Sequence, residues 1–143
     1  MYRIGLKAGM TALALIVVVS AGCATGGGGM SDEDAIRAII SKFEASITAL
    51  DLDAMFALIT DDFEMSDGLG KAEYKEFIGT LVDSGQFDGV EMSTADLKIT
   101  VEGDSAEAMP FVVTAGFGEV TLEFELEKRD GTWLVNYINQ IVG

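Results

Sequence analysis

Apolar residues recur at Ile36, Ile39, Ile40, Phe43, Ile47 and Leu50, three and four positions apart, so they form one stripe along an amphipathic helix. Ser31 is placed to cap its start, and Asp34 three positions on can complete a capping box. Asp32, Glu33 and Asp34 together suit the positive end of the helix dipole. The next stretch, Asp51 to Gly70, decides how this helix meets the rest of the chain. It predicts a short helix capped by Asp51 or Asp53 and carrying Met55, Phe56, Leu58 and Ile59. A turn at Thr60-Asp61-Asp62, a strand over Phe63–Met65 and a turn over Asp67–Gly70 follow. Tyr74, Phe77, Ile78, Leu81 and Val82 then repeat the helical spacing, and the pattern stops near Ser84-Gly85.

Beyond Gly85 the period changes to two. Leu97, Ile99 and Val101 alternate with Asp96, Lys98, Thr100 and Glu102, and Gly103-Asp104 marks a tight turn. The partner strand runs from about Ser105 to Ala115, and Pro110 inside it signals an edge position or a bulge, because proline cannot donate to a ladder. After Gly116 and Gly118, Leu122, Phe124 and Leu126 face one way while Thr121, Glu123, Glu125 and Glu127 face the other. Asp130-Gly131 turns the chain into a last strand, Trp133 to Ile141, that is apolar on both faces. Helices followed by a meander of long strands predict an α+β domain, with N-terminal helices packed on one face of a curved antiparallel sheet. A sheet that curls around a long helix encloses a cone.

The first 22 residues change the picture. Arg3 and Lys7 precede the apolar run AGMTALALIVVV, too short for an ordinary spanning helix of about 20 residues, so residues 1–22 read as a signal peptide. They end in Ser20-Ala21-Gly22-Cys23, which resembles the lipobox of bacterial lipoproteins, with Ser20 where that family prefers leucine. The resemblance implies that Cys23, the only cysteine, is acylated and becomes the new N-terminus. Residues 23–30 then form a Gly-rich tether reaching at most about 29 Å when extended. Residues 31–143 form the domain. Ala24 lacks the aspartate that signals inner-membrane retention, so the implied location is the cell envelope, on the outer membrane where the cell has two.

The sequence carries 9 basic and 24 acidic residues, a net charge of −15. Loss of Arg3 and Lys7 with the leader makes it −17. Such a field repels nucleic acid and anionic lipid, which excludes binding to either through a basic patch.

The capped helix leading into Ala49-Leu50-Asp51-Leu52-Asp53-Ala54, the segment Leu58-Ile59-Thr60-Asp61-Asp62-Phe63 and the closing Asp130-Gly131-Thr132-Trp133-Leu134-Val135 strand occur in the order seen in one superfamily. In these features the chain resembles the nuclear transport factor two-like (NTF2-like, or SnoaL-like) proteins over about Ser31 to Val142. The resemblance implies a cone-shaped fold and, for many members, a second copy docked sheet to sheet. It does not imply one activity, because isomerases, dehydratases, hydrolases, adaptors and dimerisation modules share the scaffold.

Within that resemblance Asp67 matches the general base of the ketosteroid isomerase branch, and a carboxylate at the mouth of an apolar cone would have its pKa raised toward a working range. Its competing role is a turn residue before Gly68. The same branch holds its developing enolate with a tyrosine where this chain has Phe43. Its second donor, a protonated acid on the sheet, finds its nearest counterpart in Glu123, which lies on the polar side of its strand. Missing oxyanion donors cost about 10²- to 10³-fold each. With no histidine there is no His-based triad or His-containing metal site, and Asp61-Asp62 with Asp67 lack the spacing of an EF-hand loop. Neither a metal nor a cofactor is expected. The expectation is a lipid-anchored, non-catalytic domain binding a small apolar ligand through Phe43, Phe63, Met65, Tyr74, Trp133 and Tyr137, or binding an envelope protein, as a homodimer. An isomerase or dehydratase using Asp67 and a dimerisation module with a filled cone are the alternatives.

Overall fold

The structure is a computed structural model that describes residues 30–141. The leader, Cys23 and the tether up to Gly29 lie outside the described residues. Helix α1 spans Asp32–Thr48, and Ser31 caps it by accepting from the Asp34 N–H at 3.1 Å. Its inward stripe is Ile36, Ile40, Phe43 and Ile47, all buried; Ile39 and Leu50 flank it half-buried. Asp51 resolves the choice of cap for α2 (Leu52–Phe56), its Oδ1 accepting from the Ala54 N–H at 3.1 Å.

Strand β1 runs Ile59–Met65, so the expected turn at Thr60-Asp61-Asp62 is extended backbone instead. The reason lies far along the chain: β1 pairs in parallel with β6 (Thr132–Ile141), matching Ile59 with Val135 and Met65 with Ile138. Helix α3 covers Lys71–Asp83. The remaining strands are β2 (Glu91–Ser93), β3 (Lys98–Glu102), β4 (Ser105–Ala115) and β5 (Gly118–Arg129). They complete a six-stranded sheet of order β1-β6-β5-β4-β2, with β3 also on β4. Apart from β1 with β6, the pairs are antiparallel.

Register slips interrupt this sheet between β1 and β6, between β4 and β5, and between β5 and β6. Pro110 sits where β4 slips register against β5 between Ala108 and Phe111, and where its other neighbour changes from β3 at Met109 to β2 at Val112. A second slip between Glu125 and Leu126 leaves Asn136 of β6 as an extra residue. The inward set on β6 is therefore Trp133, Val135 and Ile138, with the alternation broken at Asn136.

Inside the curl, the Phe43 ring meets Phe124 edge to face at 4.8 Å between centroids, and Phe124 stacks on Phe111 at 4.0 Å. Each such ring contributes about 1.5–3 kcal/mol by burial. The six ion pairs among the described residues, all with partly or fully exposed partners, contribute about 0–1 kcal/mol each. The apolar layer therefore dominates stability. At the start of α1 a polar contact fixes the helix to the sheet: Asp32 Oδ1 accepts from Lys128 Nζ at 3.0 Å and from Trp133 Nε1 at 3.1 Å.

Candidate functional site

Where α1 ends, the inner face of the sheet continues. Ile47 is the last buried residue of that helix, while Val120 and Leu122 of β5 and Val113 of β4 extend past it. Helix α3 roofs this end with Tyr74, Phe77, Ile78 and Leu81, leaving an apolar hollow of about 240 Å³. Two loop aromatics, Phe87 and Phe117, close its side with ring centroids 5.3 Å apart. They are held together by the Gly116 N–H donating to Gln86 O at 2.8 Å. A side chain at Gly116 would place its Cβ 3.0 Å from that oxygen. Phe77, 48% exposed, and Phe117, 36% exposed, form a greasy rim that the domain itself does not cover.

Among the described residues, the oxygen and nitrogen side-chain groups on this lining come from Tyr74 and Gln140. Gln140 is exposed at the mouth. Tyr74 is 94% buried by contrast, its 6% exposure following from a ring stacked on Phe63 at 5.4 Å and set edge-on to Phe56 at 5.6 Å. No hydrogen bond among the described residues engages its hydroxyl. Burial, and secondarily the negative charge of Asp67, push its pKa well above the ordinary tyrosine value, so the group stays a neutral hydroxyl.

Of the six residues expected to bind a ligand, Met65 and Tyr74 line this hollow. Phe63 backs the Tyr74 ring from behind. Phe43 lies in the core against Phe124. Trp133 stands at the opposite end of α1, bonded to Asp32. Tyr137 pairs with Glu125 on the outer sheet face. Asp67 is exposed, is not part of the lining, and its Oδ1 accepts from the Leu69 N–H at 3.2 Å in a turn completed by Gly68 at φ 90°. Its charge nonetheless reaches Tyr74. Ile47 and Leu81 line it too, from positions expected only as helix stripes, and Phe87 and Gln140 are lining residues with no signal in the sequence pattern. Phe117 carried a usable signal, being an aromatic between two turn glycines where turn chemistry asks for none.

The outer sheet face is different in character. Glu107 lies directly opposite Glu125, and Glu123 follows on the same side of β5. Burial, then the charges of Glu107 and Glu125, raise the Glu123 pKa. Glu123 thus faces away from the hollow and offers it no proton donor. No cluster among the described residues has the geometry to hold a metal ion, and no described helix is long and apolar enough to cross a membrane.

No family model matches the sequence, and no curated protein does. Solved structures do. A Caulobacter vibrioides protein with a cystatin-like fold superposes with a TM-score of 0.65 at 14% identity, over 78% of this chain and 89% of that one. An NTF2-like protein from Pseudomonas putida gives 0.64 at 18% identity over 76% and 84%. A candidate scytalone dehydratase from Novosphingobium aromaticivorans gives 0.62 at 15% identity over 74% and 80%. At these identities the likeness is one of fold, and the fold is the NTF2-like one.

Proposed function

We propose, for a chain with the NTF2-like fold, that it binds a small apolar ligand in the hollow beneath α3 and does so without catalysis, while anchored to the cell envelope through an acylated Cys23. The observation that carries the ligand reading is the hollow itself: about 240 Å³, apolar but for Tyr74 and Gln140, and rimmed by exposed Phe77 and Phe117. An apolar hollow with few polar groups is the usual starting hypothesis for a binding site. Helix α1, 17 residues and so about 25 Å long, separates the tether at its start from the hollow at its end.

Native mass spectrometry of the exported full chain tests the reading. It predicts a diacyl or triacyl mass on Cys23 together with a co-purifying small molecule that is lost in Ile78→Trp, which fills the hollow. An unmodified cysteine would end the anchoring claim, and a ligand-free wild type that takes up no apolar compound would end the binding claim.

The reading extends to a homodimer. Val112, Leu134, Tyr137 and Ile141, half-buried on the outer sheet face, supply the apolar surface for a second copy. Sedimentation at rising concentration tests it, a constant monomer mass being the contrary result.

One observation favours a second reading, an isomerase or dehydratase with Asp67 as base: Asp67 follows the lining residue Met65 by two positions, and its charge is the lesser of the two causes that raise the Tyr74 pKa. Conversion of a substrate that Asp67→Asn abolishes would establish this reading in place of the first; equal turnover by the variant would remove Asp67 from it.

A further inference from the structure

We infer that two copies of this chain dock outer sheet face to outer sheet face through a reciprocal ion contact, the Lys98 ammonium of one copy entering the acidic concavity around Glu107 of the other. The inference rests on the homodimer reading above and adds the contact that sets the register of the two copies. Its starting point is the side of the sheet that faces away from α1. There Thr100 and Glu102 of β3, Ser105 and Glu107 of β4, Glu125 of β5 and Asn136 at the β6 bulge line a concavity of about 260 Å³. Ile99 and Val101 pack inward against the core, so their neighbours Lys98, Thr100 and Glu102 point outward. Register places Glu107 between Thr100 on one side and Glu125 on the other.

Three carboxylates meet at this concavity, and no described lysine or arginine lines it. Their charge reaches further along the face: after burial, Glu107 and Glu125 are what raise the Glu123 pKa. Like charges directly opposite each other across a sheet are unfavourable, so the face gains by receiving a cation. The chain itself carries one in a suitable place. Among the described residues, Lys42 and Lys98 are the basic side chains without an ion pair. Lys42 lies on the exposed side of α1, away from the sheet. Lys98 is exposed on the same face as the acids, two positions before Thr100 and so about 7 Å along the strand.

A patch that holds both an unpaired cation and an acidic concavity is complementary to itself, which is what a two-fold contact requires. A two-fold axis passing through the face between Lys98 and Glu107 makes the contact twice. A basic partner of another kind would meet the acids but would also press its positive surface on Lys98. Val112, Leu134, Tyr137 and Ile141, half-buried on the same face, supply apolar area beside the charges. The ion contacts then fix orientation and exclude wrong registers.

The test measures self-association of the full chain by sedimentation equilibrium in a density-matched detergent, with two charge reversals, Lys98→Glu and Glu107→Lys. Both residues are exposed, so neither change disturbs the core. The reversals shift the net charge in opposite directions, so overall repulsion cannot weaken both. Each variant alone should dimerise at least about 10-fold more weakly than wild type, because both contacts become like-charged. An equal mixture of the two should regain the wild-type affinity, since in the mixed pair each position 98 again faces the opposite charge at position 107. Wild type that dimerises with both variants unaffected would overturn this inference and leave the homodimer reading standing. Weakened variants that do not recover on mixing would assign the loss to a contact within one copy and overturn it too. A constant monomer mass for wild type at every concentration would overturn both.

Discussion

The ring of Phe43 stands edge-on to that of Phe124, centroids 4.8 Å apart and planes at 70°. One contact thus joins the helix that begins the domain to the middle strand of the sheet that ends it, across 81 positions of sequence. Both side chains are essentially inaccessible, at 1% and 0%. Phe43→Ala should destabilise the domain by about 3–5 kcal/mol, because it removes a buried ring and leaves a cavity that Phe111 and Phe124 cannot close. Chemical denaturation with an unchanged m-value checks this; a loss below about 1 kcal/mol would mean that α1 does not support the curl.

Gly116→Ala should loosen the rim of the hollow. The added methyl would stand 3.0 Å from Gln86 O, backbone that can move only by shifting the loop. Overpacking of this kind costs about 1–3 kcal/mol, and here it would also part Phe87 from Phe117. The expected outcome is a lowered thermal midpoint with faster hydrogen exchange at the Gly116 amide.

Carboxyl groups on the two sides of the domain pull its pH dependence in opposite directions. Asp32 has its pKa lowered, first by the hydrogen bond from Lys128 and then by that from Trp133, and Asp62 has its own lowered chiefly by Arg129. A lowered folded pKa gives stability that is present above the ordinary value of 3.8 and is lost as pH falls through the folded pKa. Asp32→Asn should accordingly flatten the acid limb of the stability curve below about pH 4, as read from urea midpoints across pH.

Glu123 runs the other way. Its folded pKa lies above the ordinary 4.5, because burial and then Glu107 and Glu125 disfavour its charge, so stability rises as pH falls toward 4.5. Glu123→Gln should raise the midpoint at about pH 7 by an amount in the roughly 0.2–1 kcal/mol range of like-charge pairs across a sheet, and should change little well below pH 4.5. An equal gain at both pH values would assign the effect to something other than charge.

The local elements were legible because their signals are local. The α1 stripe, the Ser31 cap and the turns at Gly103, Gly118 and Asp130-Gly131 all follow from neighbours within a few positions. β1 was misjudged at its start because its pairing partner is β6, more than 70 positions away, and no period in Thr60-Asp61-Asp62 records that. The last strand is apolar on both faces: Trp133, Val135 and Ile138 point inward, the bulge at Asn136 bringing the last two to one side, while Leu134, Tyr137 and Ile141 face outward.

The site was harder. Tyr74 and Phe77 occupy one helical stripe, and periodicity cannot tell that Tyr74 is sealed by Phe63 while Phe77 overhangs open space. Asp67 followed by Gly68 supports a turn and a base equally well in sequence; the hydrogen bond from Leu69 is what distinguishes its present state. Phe87 and Phe117 meet only because Gly116 lets two loops touch.

The most direct measurement is a methyl-labelled NMR titration of the full chain with an uncharged apolar probe such as 1-indanone. The account predicts saturable shifts at the methyls of Ile47, Ile78, Leu81, Val113 and Leu122, with those of Ile36 and Val135 at the closed end unmoved. Absence of shifts at saturating probe, or shifts centred on Ile36 and Val135, would contradict it.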